Sequence, residues 1–421
     1  MNRLNMALKK RIGSRQEKKR ILFVAMSSSV HTARWIRQLS DQGWDIHLFP
    51  SIDAGSTHEE LAGVTVHHSV YARLRNSTET GNCYHGLYVR FKSLAWLARF
   101  ALLQLFPSYR VWQLNRLIKR LQPDLINSME IQHAGYLVEQ VRSTWKDGFP
   151  KWWVTNWGSD IYLFGRLEEH RRRIQSILAN CDFYSCECVR DVGLAKSLGF
   201  CGTVMPVMPN TGGFGLERIR HIRDKVRTAD RRTIMLKGYQ NWAGRALVGL
   251  RALERCADVL VGYTVVVYSA NQDVLLAARL FSEKSGVKIS IIESDVSHEQ
   301  ILSAHGAARI SIGLSIGDAI STSLLEAMVM GSFPIQSNTA CADEWLENGV
   351  TGLLVSPEDP EVIESAIRRV VADDSLVNSA ADANWQTAVA RLSKIHLTKK
   401  AVAMYKQALG IASPQEDPSG I

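Results

Sequence analysis

Short apolar runs alternate with amphipathic stretches along most of the chain. Ile21-Leu22-Phe23-Val24-Ala25 has the pattern of a buried strand and ends in Ser27-Ser28-Ser29. The spacing of Ala33, Ile36 and Leu39 then predicts a helix, which Gly43 closes. Ile46-His47-Leu48-Phe49 reads as the next strand, and Pro123-Asp124-Leu125-Ile126 and Trp152-Trp153-Val154-Thr155 repeat the order of strand and polar loop. From Met205 to Gly213 the chain is rich in proline and glycine, and a basic stretch follows, which suits a connection between domains. The pattern then restarts with strands at Thr233–Leu236, Thr264–Tyr268, Val287–Ile292, Ile310–Leu314 and Phe333–Gln336, and a helix over 245–257. Strands and helices in alternation imply βαβ units and parallel sheets.

The pattern predicts an α/β protein of two similar domains with a ligand cleft between them, beyond the carboxyl ends of the strands. Its expected divisions are a basic tail at 1–19, a first Rossmann-like domain at 20–205, a linker at 206–232 and a second Rossmann-like domain at 233–390. Residues 391–421 complete the chain as a helix, expected to pack back on the first domain, and a tail.

Composition narrows the class. A chain of 421 residues with 46% hydrophobic and 22% charged positions is ordinary for two globular domains. Its longest apolar stretches are broken by Arg or Lys, so none reads as a bilayer span, and no secretory signal follows the basic start. Seven scattered cysteines read as cytosolic thiols. Cys181, Cys186 and Cys188 lack zinc-site spacing and a fourth ligand, so no metal is expected.

The formal charge is +9, and the first twenty residues hold eight Lys/Arg against one Glu. Such a run attracts nucleic acid or an anionic leaflet. No nucleic-acid motif accompanies it, which favours the membrane. Residues 88–106 interleave Arg90, Lys92 and Arg99 with aromatic and leucine positions. That composition fits an interfacial helix, and equally a helix packed inside a domain.

The chemistry centres on residues 318–337, where Asp318 and Glu326 stand eight positions apart. Ser323-Leu324-Leu325-Glu326 fits a capping box, which would make Glu326 a helix-start residue and Asp318 a plain loop acid. Gly331 closes this helix before a short strand at Phe333-Pro334-Ile335. Elsewhere no strand is followed by G-x-G-x-x-G, no P-loop occurs, and Gly213-Phe214-Gly215 lacks the third glycine, so hydride transfer and P-loop chemistry lose their usual marks. D-x-D is also missing, leaving a metal-bridged diphosphate site without sequence support.

The same segment resembles the E-x7-E motif of retaining glycosyltransferase family 4, with Asp318 in place of the first glutamate and Glu326, Ala327, Met328 and Gly331 following. Trp345, Gly349, Gly352 and Leu353 continue the likeness. His31, Arg34 and Trp35 look like the family's first loop and helix, and Asn156–Leu163 resembles its Gly-Ser-Asp loop. Lys237 and Arg245 stand near the family's basic pair, at a longer spacing.

The resemblance implies a GT-B fold, with two Rossmann-like domains whose parallel sheets face across a central cleft. It also implies sugar transfer from a nucleotide-diphosphate donor to a lipid-linked or glycan acceptor, of hexosyl or N-acetylhexosaminyl type. Glu326 would bind the ribose hydroxyls, and amides around Ser321, Thr322 and Ser323 would receive phosphate. Lys237 and Arg245 would neutralise the leaving diphosphate without a metal or other cofactor. Asp318 would hold the transferred sugar, while His31 and Asp160, expected on the other domain, would orient sugar or acceptor. The implied setting is surface polysaccharide biosynthesis at the cytoplasmic face of a membrane. A catalytically silent nucleotide-sugar-binding or scaffold protein of the same fold is the alternative.

Overall fold

The computed structural model describes residues 18–72, 81–223, 226–293 and 296–411. All but its last two residues of the expected basic tail lie outside them. Packing groups the chain into two compact units. The first takes the described residues up to Thr155, Cys181–Phe183 and those from Ala401 onward, and the second takes Asn156–Asn180 and Tyr184–Lys400. The chain thus passes to the second unit at Asn156, where the sequence suggested a boundary near 205.

Among the described residues the first sheet has eight strands, six of which lie in the first unit: β1 (Arg20–Ala25), β2 (Asp45–Pro50), β3 (Thr65–Tyr71), β4 (Cys83–Tyr88), β5 (Leu125–Met129) and β6 (Lys151–Thr155). They lie in the order β4-β3-β2-β1-β5-β6 and every pairing is parallel. Ile21 to Ala25 are fully buried, as the central strand of a sheet covered on both faces must be. β3 and β4 carry too many polar residues for their apolar alternation to be legible. On them His67 and His85 stack beside His47 of β2, with His47 Nδ1 2.9 Å from His67 Nε2. Burial lowers the His67 pKa to about 3, so that ring stays neutral near pH 7.

The end of the chain completes this unit. Tyr405, on the helix Lys394–Ala408, is fully buried among Phe23, Trp35, Trp44 and Trp153. Its hydroxyl accepts from Trp35 Nε1 at 2.8 Å and donates to Asn127 Oδ1 at 2.6 Å.

The helix Lys92–Leu105 has a different character. Only Ala95 is buried in it, against Val70 and Ala72, and Arg99 anchors it by donating to the Val70 carbonyl at 2.8 Å. Its large apolar side chains face outward. The reading of residues 88–106 as an internally packed helix is therefore overturned. Among the described residues no helix is long and apolar enough to cross a membrane.

After two short strands, β7 (Phe183–Ser185) and β8 (Thr203–Val204), the second unit forms its own parallel sheet. Its strands are β9 (Thr233–Lys237), β10 (Thr264–Tyr268), β11 (Lys288–Ile292), β12 (Ile310–Gly313), β13 (Phe333–Ser337) and β14 (Leu353–Val355), in the order β11-β10-β9-β12-β13-β14. Ile234, Leu236, Val265, Val267 and Ile312 join the core under the helices Ala246–Arg255 and Pro360–Ala372. The chain winds from β9 outward to β11 and returns to β12 on the other side of β9. That reversal opens a crevice at the carboxyl ends of β9 and β12, where ligands bind in open α/β sheets.

Candidate active site

A pocket of about 170 Å³ occupies this crevice. Lys237, the last residue of β9, reaches it from one side, and the loop Ser315–Asp318 after β12 forms the other. Ser321, which precedes the helix Thr322–Met330, contributes the floor, and Gln336 and Ser337 enter from the end of β13. Tyr239 and Trp242 line it with largely exposed rings, and the Lys237 ammonium sits 4.5 Å from the Tyr239 ring centre.

Asp318 is held at both its backbone and its side chain. Its Oδ1 accepts from the Ala319 amide at 2.9 Å, and its carbonyl accepts from Arg190 Nη2 at 2.8 Å. Arg190 is itself fixed by Asp191 and the Thr339 carbonyl, and lies 3.7 Å from the Tyr162 ring centre. Burial raises the Asp318 pKa above the ordinary carboxylate value, while Lys237, the Ala319 amide and Arg190 pull it down. Across from it, Ser159 Oγ donates to the Gly317 carbonyl at 2.8 Å. Gly158 lies so close that a Cβ there would stand 2.7 Å from Asp318 Oδ1.

Glu326 is buried and sits one turn inside the helix, with its Oε1 2.8 Å from His298 Nε2 and its Oε2 3.7 Å from His305 Nε2. This overturns the capping-box reading. The helix begins at Thr322, its cap Ser321 makes no side-chain cap bond, and the Ser321 and Ser323 hydroxyls pair with each other at 2.7 Å. Desolvation would raise the Glu326 pKa, but the hydrogen bond to His298 and the charge of Lys237 bring it below normal. Burial holds His305 down at about 4, so it is neutral near pH 7.

The predicted residues are thus partly assembled. Lys237, Asp318 and Ser321 line one pocket, with Glu326 behind them, whereas Thr322 and Ser323 continue the helix without lining it. Arg245 also does not line it. Its Nε pairs with Glu358 at 3.1 Å, and Nη1 donates to the carbonyls of Asn241 and Gly244. Asp160 is grouped with the second unit, contrary to expectation, and its Oδ2 accepts from the Trp157 amide at 2.9 Å, closing its own loop. His31 belongs to the first unit, in the first turn of the helix Val30–Arg37 that Ser29 caps.

The first unit has a reversal of its own, between β1 and β5. Glu130 follows β5 there with φ +79°, and its carboxylate accepts from the amides of His133 and Ala134. A buried glutamate in a left-handed conformation is unusual, and a single sequence carries no signal for it. Among the described residues, one group has metal-type ligand atoms within 4.8 Å of one another: Cys188, Cys341 and Glu344. Glu344 already accepts from the amides of Val189 and Arg190. The cysteine cluster read from the sequence, Cys181, Cys186 and Cys188, is not this group.

Residues 20–184 match the family described as Glycosyl transferase 4-like, and residues 278–386 match Glycosyl transferases group 1. These matches support a glycosyltransferase. No curated protein sequence matches the chain.

Solved structures extend the likeness to nearly the whole length of the chain. Sucrose-phosphate synthase from Thermosynechococcus elongatus superposes with a TM-score of 0.66 at 15% identity, covering 94% of this chain and 100% of that one. Anabaena HepE in complex with UDP-glucose gives 0.62 at 13%, covering 92% and 99%. A trehalose-6-phosphate synthase, studied for glycosyl transfer with retention, gives 0.64 at 11%, covering 92% and 99%. The fold is GT-B.

Arg190 and Ser159 shape the Asp318 pocket by donating to the Asp318 and Gly317 carbonyls; Ser159 belongs to the Gly-Ser-Asp loop, whereas no motif marks Arg190. They act through backbone carbonyls and loop packing, which place no constraint on local sequence pattern.

Proposed function

We propose that the protein is a retaining glycosyltransferase that moves a hexosyl or N-acetylhexosaminyl group from a nucleoside-diphosphate sugar to a lipid-linked or glycan acceptor. The observation that carries this reading is the meeting of Lys237, Asp318 and Ser321 in one pocket at the strand reversal of the second unit. Lys237 would offset charge on the departing diphosphate, which also meets amides at the start of the helix Thr322–Met330. Asp318 would accept from hydroxyls of the sugar, and Glu326 from the ribose, with one of its oxygens held by His298. The sugar's anomeric bond to phosphate breaks, the acceptor oxygen adds on the same face, and its proton passes to the leaving phosphate. No protein nucleophile is assigned, and Lys237 takes the charge-stabilising part that a metal plays elsewhere. HepE bound to UDP and to UDP-glucose favours a nucleotide-sugar donor. The acceptor class suits surface polysaccharide assembly at the cytoplasmic face of a membrane.

A silent nucleotide-sugar-binding protein is the second reading, favoured by the engagement of Arg245 with Glu358. Incubation with UDP-, GDP- and dTDP-sugars, followed by mass spectrometry, separates the two. Release of a nucleoside diphosphate supports transfer, and binding without release from any donor supports the silent protein. Turnover should also survive excess EDTA, and activity lost to EDTA and restored by Mg²⁺ or Mn²⁺ would remove the metal-free mechanism.

A further inference from the structure

The helix Lys92–Leu105 is too apolar for water and too short to span a bilayer. Its fourteen residues give a length of roughly 21 Å at 1.5 Å per residue, against a hydrocarbon core of about 30 Å. Trp96, Leu97 and Phe100 are 59%, 53% and 50% exposed, and Trp96 and Phe100 stack at 5.5 Å. Leu94, Leu103 and Leu105 extend the apolar surface along the helix, and Phe91 and Phe106 prolong it at either end. Such continuous exposure marks an interaction surface.

Charge identifies the occupant. Residues 81–123 contain no Asp or Glu and seven Lys or Arg, of which Arg110 alone is buried, paired with Asp53. Arg90 lies 5.5 Å from the Phe91 ring centre, and Arg116 lies 5.4 Å from that of the exposed Trp112 on the following helix, Tyr109–Leu121. Cations beside outward-facing aromatics match an anionic headgroup layer over an apolar interior. A second copy would oppose one basic segment to another, which repels. The exposed residues also spread around most of the helix, with Ala95 alone buried, whereas a protein groove takes up a single stripe.

We propose that the helix Lys92–Leu105 lies flat in the interfacial layer of an anionic membrane, with Trp96, Leu97 and Phe100 inserted and the flanking cations at headgroup level. This rests on the reading above only for its biological setting, since it names the element that would bring the enzyme to a lipid-linked acceptor. It differs from docking by the basic tail, because insertion persists when salt has screened the tail's charges.

The test is flotation of the full chain with vesicles of phosphatidylcholine alone or mixed with phosphatidylglycerol, without sugar donor. The wild type should bind the anionic vesicles at least about tenfold better, with part of the binding surviving 0.5 M salt. The triple variant Trp96→Ser, Leu97→Ser, Phe100→Ser should lose about tenfold or more at either salt concentration, with an unchanged melting temperature. Deleting residues 1–17 should leave the salt-resistant part in place. Equal flotation of the triple variant and the wild type would overturn the proposal. So would complete loss on tail deletion, or a wild-type dimer that the triple variant converts to monomer. Because no donor is present, a protein that floats but releases no nucleoside diphosphate refutes the enzyme reading alone.

Discussion

At Gly158 the backbone takes φ +29°, and the missing side chain leaves room for the Asp318 carboxylate. Gly158→Ala combines a strained backbone, costing about 1–2 kcal/mol, with displacement of that carboxylate. Turnover should fall at least tenfold while melting shifts by a few degrees, and unchanged turnover would detach Asp318 from the sugar. Glu326 needs a pair of variants, since it is both a partner of His298 and the expected ribose ligand. Glu326→Gln loses a charged hydrogen bond worth about 1.5–3 kcal/mol, so stability and nucleoside-diphosphate affinity should both decline. His298→Ala removes the same bond but keeps the carboxylate, so stability should decline while affinity holds. Equal losses of affinity by calorimetry would make Glu326 a structural acid. The sequence marked Lys237, Asp318 and Glu326 because strand ends and motif spacing are local, and Lys237 and Asp318 line one pocket. It carried no sign that Arg245 pairs with Glu358 or that Asp160 accepts from the Trp157 amide, which are matters of loop geometry.

Elements were legible where burial is uniform. β1, β9 and β12 are runs of apolar residues buried on both faces, whereas β3 hides its role behind His67, His68 and Ser69. Buried polar groups on such elements make stability depend on pH. Glu187, which precedes the helix Val189–Ser197, is buried and accepts from the Asn210 amide at 2.7 Å. Burial raises its pKa from 4.5 to about 8, so folding favours its protonated form. Its contribution is complete below about pH 4.5 and fades as the pH climbs through about 8. Glu187→Gln keeps an oxygen for Asn210 and cannot ionise. Between pH 5 and 9 the wild type should lose about 5–10 °C of melting temperature relative to this variant, by thermal unfolding at each pH. Parallel pH profiles would show that Glu187 ionises in place without strain.

On the scale of the whole molecule, the first unit is assembled from distant parts of the chain, and Tyr405 fills the space among Phe23, Trp35 and Trp153. A chain ending at residue 400 lacks that ring and strands Trp35 Nε1 and Asn127 Oδ1 without their partner. It should melt with the first unit destabilised by about 3–5 kcal/mol, the usual cost of an emptied aromatic site, and denaturant titration followed by tryptophan fluorescence reads this directly. The arrangement also sets a clock in biosynthesis. Trp35 leaves the ribosome 370 residues before Tyr405, which at about 5–20 residues per second is a wait of roughly 20–70 s. For that interval the sheet that begins the protein exists with its aromatic centre open, and the second unit is finished first. A nascent chain stalled before Tyr405 should therefore show the later half protected from protease and the earlier half exposed, reversing the order in which the two were made.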